Sequence, residues 1–177
     1  MTDHDHVDHV LGQWRREAPR LDRSPMGVIA RITRLAQLLE VEQEPLLEAH
    51  GLTGGEFDVL AALRRSGRPY RLTPTALSRS LLVTSGGMTK RLSALEARGL
   101  IERRPDPADG RSSSVTLTRA GKRRFDAALE EHVENQQRLL AGLGALERAQ
   151  LATLLERLAL DLGDRADTRP RRRTRVS

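Results

Sequence analysis

Apolar residues recur along much of the chain at the spacing of a helix, so the sequence predicts a mainly helical protein. The longest early stripe follows Pro25 and consists of Val28, Ile29, Ile32, Leu35, Ala36 and Leu39. We expect this helix to end near Val41 to Pro45, because proline interrupts a helix interior. A shorter helix from about Val10 to Glu17 precedes it, and the polar start MTDHDHVDH is expected to be loose.

Capping residues mark the start of two helices near the middle of the chain. Thr53 and Glu56 have the spacing of a capping box, and an apolar face follows them. The residues of that face are Phe57, Leu60, Ala61 and Leu63. Thr73 followed by Pro74 predicts the second start, since a proline in the first helical position leaves no hydrogen bond unmade.

The stretch TSGGMTKRLSALEARGL, from Thr84 to Leu100, predicts another helix with an unusual outer side. At about 100° per residue, the inward side consists of Met88, Leu92 and Leu95. The opposite ridge consists of Gly86, Lys90, Ser93 and Ala97, with Thr89 on its flank. Such small residues let a helix backbone approach closely, as insertion into a DNA major groove requires. The alternative is an ordinary exposed helix that has small residues by chance.

Two extended runs, LIERRP and SSSVTLT, follow, and they predict a hairpin whose flexible tip is DPADGR. A capped helix, a short turn, a second helix and a hairpin form the order of a winged helix-turn-helix. The predicted partner is therefore double-stranded DNA. The residues predicted to contact it, on the second helix and the wing, are Thr84, Ser85, Gly86, Thr89, Lys90, Ser93, Arg103, Arg104, Asp109 and Arg111. An ordinary solvated hairpin is the alternative for the wing arginines.

The two last helices have long apolar stripes that need a partner surface. Thr118 is expected to cap the first of them. The stripe residues are Phe125, Ala128, Leu129, Val133, Gln136 and Leu140, then Leu151, Leu154, Leu155, Leu158 and Leu162. One small domain cannot easily cover these stripes as well as its own core, so we predict a homodimer. The predicted fold is mainly α with a small β-wing, dimerising through its N- and C-terminal helices.

Composition sets limits on this interpretation. The chain has 177 residues, no cysteine and no long apolar run, so we expect a cytoplasmic protein without disulfides or a membrane span. Residues 164–177 supply +4 of the net charge of +6, and they are predicted to be a disordered tail. We divide the rest into an N-terminal part, 1–24, and a main domain, 25–163, whose DNA-binding core is 53–121.

Other chemistry is weakly supported by the sequence. The chain has no glycine-rich phosphate loop or nucleophile motif, so neither an enzyme nor a cofactor is predicted. The histidines of the polar start are interpreted as incidental rather than as a metal site. The arginines of the tail either strengthen phosphate attraction or remain solvated, and the sequence leaves this open.

The segment DPADGRSSSVTLTRAG resembles the wing of the MarR family of bacterial transcriptional regulators. That family's wing usually reads Asp-x-Arg-Asp-x-Arg, followed by Leu-Thr-x-x-Gly. The matching residues are Asp106, Asp109, Arg111, Leu117, Thr118 and Gly121, and Ala108 stands where arginine is usual. The resemblance covers nearly the whole chain and implies the winged helix-turn-helix that the spacing also predicts.

Three further segments, DRSPMGVIARITRLAQLLE, EFDVLAALRRSG and TSGGMTKRL, resemble the PecS/HucR branch of that family, whose members respond to urate. By this resemblance the ligand residues are Trp14, Asp58, Arg65 and Arg91. The expected effector is urate or a related small anion. The alternatives are a phenolic or antibiotic-like effector, or a constitutive DNA-binding protein without a ligand.

The positions of these residues on their helices agree with a ligand site. Arg91 lies about 60° from Met88 and points to the inner flank of its helix, where a guanidinium needs an anionic partner. Asp58 and Arg65 are seven residues apart, on one helix face. In the alternative interpretation, Trp14 only anchors its helix and Arg91 pairs permanently with Asp58.

Overall fold

Seven helices and three strands make up the part of the chain that the computed structural model describes, residues 4–106 and 109–165, without the side chains at 106–112. The first helices are α1 (His6–Glu17), α2 (Ser24–Ala49) and α3 (Gly54–Arg65). The middle elements are β1 (Arg71–Leu72), α4 (Pro74–Ser80), α5 (Ser85–Ala97), β2 (Ile101–Asp106) and β3 (Asp109–Leu117). The last helices are α6 (Arg119–Leu139) and α7 (Ala145–Asp161). The predicted mainly helical fold with a small β-wing is confirmed.

Threonine caps start α3, α4 and α5 where the sequence predicts them. The Thr53 Oγ1 accepts a hydrogen bond from the Glu56 N–H at 3.3 Å, and the Thr53 N–H donates to the Glu56 side chain at 3.0 Å. Thr73 and Thr84 accept in the same way from the third residue of α4 and of α5. Each cap satisfies a backbone donor that the first helical turn leaves unpaired.

The N-terminal helix begins earlier than the polar pattern predicts. The Asp5 Oδ1 accepts from the Asp8 N–H at 2.8 Å, so α1 starts at His6 instead of near Val10. Arg31 of α2 then donates to both aspartates, with its Nε 2.7 Å from Asp5 Oδ2 and its Nη2 2.7 Å from Asp8 Oδ1. The described part of the polar start is therefore helical from His6 onward and tied to α2.

The predicted end of the second helix, near Val41 to Pro45, was wrong. Helix α2 continues through Pro45 to Ala49, and its last turn places Leu47 in the core with only 3% of its surface exposed. An interior proline costs a helix about 3 kcal/mol. Burying a leucine stabilises by about 1.5–3 kcal/mol, and Leu46 also packs against the core, so burial offsets most of that cost.

The core lies between the middle helices and the sheet. Met88, Leu92 and Leu95 of α5 are each at most 2% exposed, which confirms the predicted inward side of that helix. They pack with a cluster that includes Phe57, Val59, Leu60, Leu63, Leu77, Leu100, Ile101, Val115 and Phe125. Gly99, in the left-handed region at φ 66°, ends the α5 segment as predicted.

The wing is a three-stranded antiparallel sheet in the order β1-β3-β2. The predicted hairpin is confirmed, with Ile101 opposite Leu117 and Arg103 opposite Val115. The sequence pattern missed β1, which pairs Arg71 with Thr116. Pro107 and Ala108, at the predicted flexible tip, lie outside the described residues.

The chain divides into two compact units, one up to Val133 and the other from Glu134. In the first, Thr118 Oγ1 accepts from the Gly121 N–H at 3.0 Å, so α6 starts at the predicted cap. Phe125 is buried, and its ring centroid lies 5.1 Å from that of Phe57. In the second unit, none of the residues of α7 is buried. No helix in the described ranges has the length and apolar character that crossing a membrane requires.

Candidate nucleic-acid interface and ligand site

The outer ridge of α5 is open to solvent. Ser85, Gly86, Thr89, Lys90 and Ser93 are all exposed, as is the cap residue Thr84. A Cβ built on Gly86 would meet no atom within 4 Å. The Thr89 hydroxyl donates to the Ser85 carbonyl at 2.9 Å, which folds this side chain back onto the helix. The start of α5 therefore presents a surface of mostly small side chains that another molecule can approach closely.

The two glycines at the start of α5 lie in different surroundings. A Cβ on Gly87 would lie 3.0 Å from the Val83 Cγ1 and 3.3 Å from the Thr84 Oγ1. Gly87 thus lets the turn before α5 pack closely, whereas Gly86 faces outward. The turn itself contains Leu82, which is 88% exposed and has a positive φ of 51°.

The C-terminal end of α5 is fixed to α3 by an ion pair that sequence reasoning missed. The Arg98 Nη1 lies 3.0 Å from one carboxylate oxygen of Glu56 and 3.1 Å from the other. Arg98 also donates to the Gly51 carbonyl. Because Glu56 completes the cap of α3 as well, one buried carboxylate joins the start of α3 to the end of α5.

The same end of α5 is tied to the wing. The Arg103 Nε donates to the Glu96 Oε2 at 2.7 Å, and the Arg103 backbone N–H donates to Oε1 at 3.2 Å. Hydrogen bonding to Arg103 holds the pKa of Glu96 below its ordinary value. Arg103 is thus partnered within the protein, and its Nη2 also lies 3.4 Å from the Ser93 Oγ.

The other predicted wing residues differ in what the structure shows of them. Arg104 is exposed, and its Nη2 pairs with the Glu102 Oε2 at 2.9 Å. The side chains of Asp109 and Arg111 lie outside the described residues. The structure describes the side chains of two predicted wing contacts, Arg103 and Arg104. Of these two, Arg104 is directed mostly to solvent.

Arg91 turns inward from α5 to the first turn of α3. A Cβ built on Gly55 would lie 2.5 Å from the Arg91 Nε, 2.6 Å from Cζ and 2.9 Å from Nη2. The guanidinium therefore lies against the Gly55 backbone, on the inner flank that the helical angle predicts. Among the described residues, this guanidinium makes no hydrogen bond or ion pair, and its interaction with Asp58 is through charge alone.

Asp58 lies one turn further along α3 and interacts electrostatically with Arg91. Partial desolvation raises the pKa of Asp58 above its ordinary value, although the residue is more than one-third exposed. The charges of Arg91, Arg65 and His132 act in the opposite direction, in that order. Asp58 is thus a carboxylate among three basic groups.

His132 of α6 is a member of this group that sequence reasoning missed. Its ring centroid lies 4.7 Å from that of Phe57, and burial lowers its pKa while the charge of Asp58 opposes that shift. Its distance of seven residues from Phe125, two helical turns, placed it on the inward face of α6. That spacing was the available signal.

Arg65 and Trp14 have contacts of their own. The Arg65 Nη2 donates to the Ser80 Oγ at 3.0 Å, which ties the end of α3 to α4. Trp14 is 41% exposed on α1 and borders an open recess with Gln13, Arg16 and Glu17. None of the other three predicted ligand residues lines that recess. No cluster of three or more potential metal ligands occurs among the described residues.

Large apolar side chains are exposed on several helices. On α2 they are Val28, Ile29, Leu35, Leu38, Leu39 and Val41. On α6 and α7 they are Leu129, Val133, Leu146, Leu151, Leu154, Leu155 and Leu160, and Leu140 directly follows α6. Large apolar side chains exposed on a helix face are typical of a protein interface.

Comparisons with known proteins agree with this geometry. A family model described as MarR family matches residues 50–112. PecS, a transcriptional regulator of Dickeya dadantii, is 36% identical over 152 residues, which cover 86% of this chain and 92% of PecS. The multiple antibiotic resistance protein MarR of Salmonella typhimurium is 32% identical over 71% of this chain and 88% of its own.

Solved structures give the same result for the fold. A mutant MarR from E. coli, complexed with operator DNA, superimposes with a TM-score of 0.69 at 26% identity. The match covers 82% of this chain and 96% of that one. These similar proteins are transcriptional regulators and not enzymes.

Proposed function

The chain belongs to the MarR family of DNA-binding transcriptional regulators, and on that premise we propose that it is a homodimeric repressor released from its operator by a small anion, urate foremost. One observation carries the ligand part of this proposal. Arg91 belongs to the helix that would enter DNA, yet its guanidinium lies against α3, near Asp58. A molecule that binds Arg91 there acts directly on the DNA-binding helix.

The DNA-binding surface consists of the exposed start of α5 and the wing. Inserted into the major groove, α5 presents Thr84, Ser85, Gly86, Thr89, Lys90 and Ser93. Wing residues Arg103, Arg104, Asp109 and Arg111 lie along the adjacent minor groove, where arginine is attracted by negative potential. The open surface over Gly86 supports this orientation, because a close approach needs no displacement of a side chain.

Two copies pair through the exposed apolar faces of α2 and of the helices near the C-terminus. Burial of apolar surface is the main driving force of such association, at roughly 25 cal/mol per Å² of area removed from water. A two-fold dimer binds a pseudo-palindromic operator with half-sites about one DNA turn, roughly 10 bp, apart. Such a regulator of a bacterial genome acts in the cytoplasm.

The ligand site is formed by Asp58, Arg65, Arg91 and Trp14. Arginine offers a planar fork of donors to the oxygens of urate, and tryptophan offers a face for stacking. The anion competes with Asp58 for Arg91 and shifts α5, so that the two recognition helices of the dimer lose the spacing of the half-sites. A ligand that prefers this state weakens DNA binding by the same factor by which DNA weakens binding of the ligand.

Urate titration of operator binding tests the proposal. We expect urate to weaken the wild-type complex by about 5- to 150-fold, the usual range of allosteric coupling. Arg91→Ala and Trp14→Ala should remove most of this loss of operator affinity on addition of urate. Arg123→Ala, at an exposed position on α6, should retain it. If both Arg91→Ala and Trp14→Ala respond as wild type does, the ligand site has been misplaced.

A ligand panel distinguishes the alternatives within the family. Ligands that bind the folded protein raise its melting temperature in a concentration-dependent way. A rise with phenolic compounds but not with urate would assign a different effector to the same regulator. Operator affinity that no purine or phenolic compound changes would indicate a constitutive DNA-binding protein.

A further inference from the structure

Two consecutive glycines begin α3, although only proline is less favourable than glycine in a helix. Their surroundings differ sharply. A Cβ on Gly54 would meet only the Leu47 Cδ1, at 4.0 Å, which is ordinary contact. A Cβ on Gly55 would overlap the Arg91 guanidinium at 2.5–2.9 Å. The first glycine therefore has room for a side chain, and the second does not.

The atoms that would obstruct a side chain at Gly55 all belong to the end of Arg91. A long arginine side chain can rotate away, whereas backbone cannot, so a methyl group at position 55 displaces the guanidinium and not the helix. The cap of α3 uses the Thr53 and Glu56 side chains with their backbone donors, and needs no feature of Gly55. The fold should therefore tolerate alanine there.

We propose that Gly55 is a positioning residue, whose missing side chain allows Arg91 of α5 to lie against the first turn of α3. This inference rests on the proposed role of Arg91 in ligand binding. A methyl group at position 55 expels the guanidinium from the ligand site and breaks the contact through which a ligand reaches the recognition helix. Gly55 contacts neither DNA nor ligand in this role, and acts only through Arg91.

The electrostatics of the contact explain why Arg91 needs close packing against Gly55. The first turn of a helix carries partial positive charge, so the α3 dipole does not attract a guanidinium. Asp58, three residues after Gly55, supplies the opposing negative charge. Close packing on a residue without a side chain keeps Arg91 within reach of this carboxylate.

The position of Arg91 can be measured without any ligand through the carboxyl ¹³C signal of Asp58. Desolvation raises the pKa of Asp58 and the Arg91 charge opposes that rise, so Gly55→Ala should raise the pKa further, and Arg91→Ala should raise it too. The matched control Gly54→Ala should leave it at the wild-type value. An unchanged Asp58 pKa in Gly55→Ala would show that the guanidinium has not moved, and would overturn the inference.

Operator binding with and without urate supplies the functional readout. In wild type the operator affinity without urate should exceed that with urate by about 5- to 150-fold. We expect Gly55→Ala to bring this ratio of affinities towards 1, while Gly54→Ala retains it. The double variant Gly55→Ala/Arg91→Ala should respond as Arg91→Ala does. If Arg91→Ala loses the response and Gly55→Ala keeps it, the inference about Gly55 fails while the proposed function stands.

The two proposals fail in distinguishable ways. If Arg91→Ala and Trp14→Ala both respond to urate as wild type does, the proposed ligand site fails, and the Asp58 pKa still decides where Gly55 places Arg91. Thermal melts of both alanine variants should match or exceed wild type, because alanine favours a helix more than glycine does. A Gly55→Ala protein that folds only when Arg91→Ala is added would show that the guanidinium occupies this space in the folded protein, and would support the inference.

Discussion

Arg103 of β2 and Glu96 of α5 are joined by three hydrogen bonds: the Arg103 Nε, at 2.7 Å, and Nη2 donate to Oε2, and the Arg103 backbone N–H donates to Oε1 at 3.2 Å. The wing and α5 are therefore joined through one residue on each. Arg103 was predicted from the sequence as a DNA contact, and its internal partner gives it a second way to affect DNA binding.

We expect Glu96→Gln and Arg103→Ala each to weaken operator binding, because either change releases the wing from α5. The pair is about one-third exposed, so its contribution to stability should be small, about 0.5–1 kcal/mol. A double-mutant cycle of operator affinity, with Glu130→Gln as an exposed control, measures the coupling. Losses that add in the double variant would show that Arg103 acts on DNA independently of Glu96.

Arg31→Ala should loosen α1, because it removes the partner of Asp5 and Asp8. Trp14 is the single tryptophan, so acrylamide quenching of its fluorescence reports on α1 alone. We expect quenching to increase in Arg31→Ala and to stay at the wild-type level in the exposed control Arg34→Ala. Equal quenching in all three proteins would contradict a role of Arg31 in holding α1.

Acid should also loosen α1, in the wild-type protein. Arg31 lowers the pKa of Asp5 below its ordinary value of 3.8. A group whose pKa is lower in the folded state contributes stability above its unfolded pKa and loses it as the pH falls through the folded pKa. Quenching of Trp14 should therefore increase below about pH 3.8 in wild type and depend less on pH in Arg31→Ala.

Gly121→Ala should strongly destabilise the core around the wing. A Cβ at this position would lie 2.0 Å from the Leu100 carbonyl oxygen, and backbone cannot move aside as a long side chain can. We expect a loss of about 3 kcal/mol in the free energy of unfolding, the upper end for overpacking. Urea denaturation measures it, and Gly142→Ala, where a Cβ meets nothing within 4 Å, should change stability by less than about 0.5 kcal/mol.

Gly86→Ala should separate folding from DNA binding. Its Cβ points into open space, so the folded protein accepts it, and alanine stabilises a helix by up to about 1 kcal/mol relative to glycine. On the DNA side the methyl group occupies the space that close approach needs. We expect an unchanged or higher melting temperature and operator affinity lower by about tenfold, the equivalent of 1.4 kcal/mol. Undiminished affinity would place Gly86 away from the DNA.

Local chemistry made the middle of the fold predictable from sequence. Thr53, Thr73 and Thr84 act on donors three residues away, and Met88, Leu92 and Leu95 share a face through helical geometry alone. The same local rules failed at Pro45, because the burial of Leu47 depends on the rest of the core. The strand β1 has only two residues, too short for any alternation to show.

The candidate site was predictable only in part, for a related reason. The inward direction of Arg91 follows from its angle on α5, but its contact with Gly55 joins residues 36 positions apart, on two helices. Arg98 and Glu56 are separated by 42 positions, and a sequence period cannot show such a pairing. Trp14 and Arg65 came from family resemblance, and their part in the ligand site stays a prediction.

The division of α5 into a fastened end and an open end has an evolutionary consequence. Arg98 and Glu96 hold the C-terminal end to α3 and the wing, whereas Ser85, Gly86 and Lys90 at the other end face solvent. In the proposed complex with DNA, substitutions among these three positions alter which base sequence is preferred while the molecule still folds. A lineage carrying this helix can thus acquire new target genes through single surface mutations, without first compensating for lost stability elsewhere.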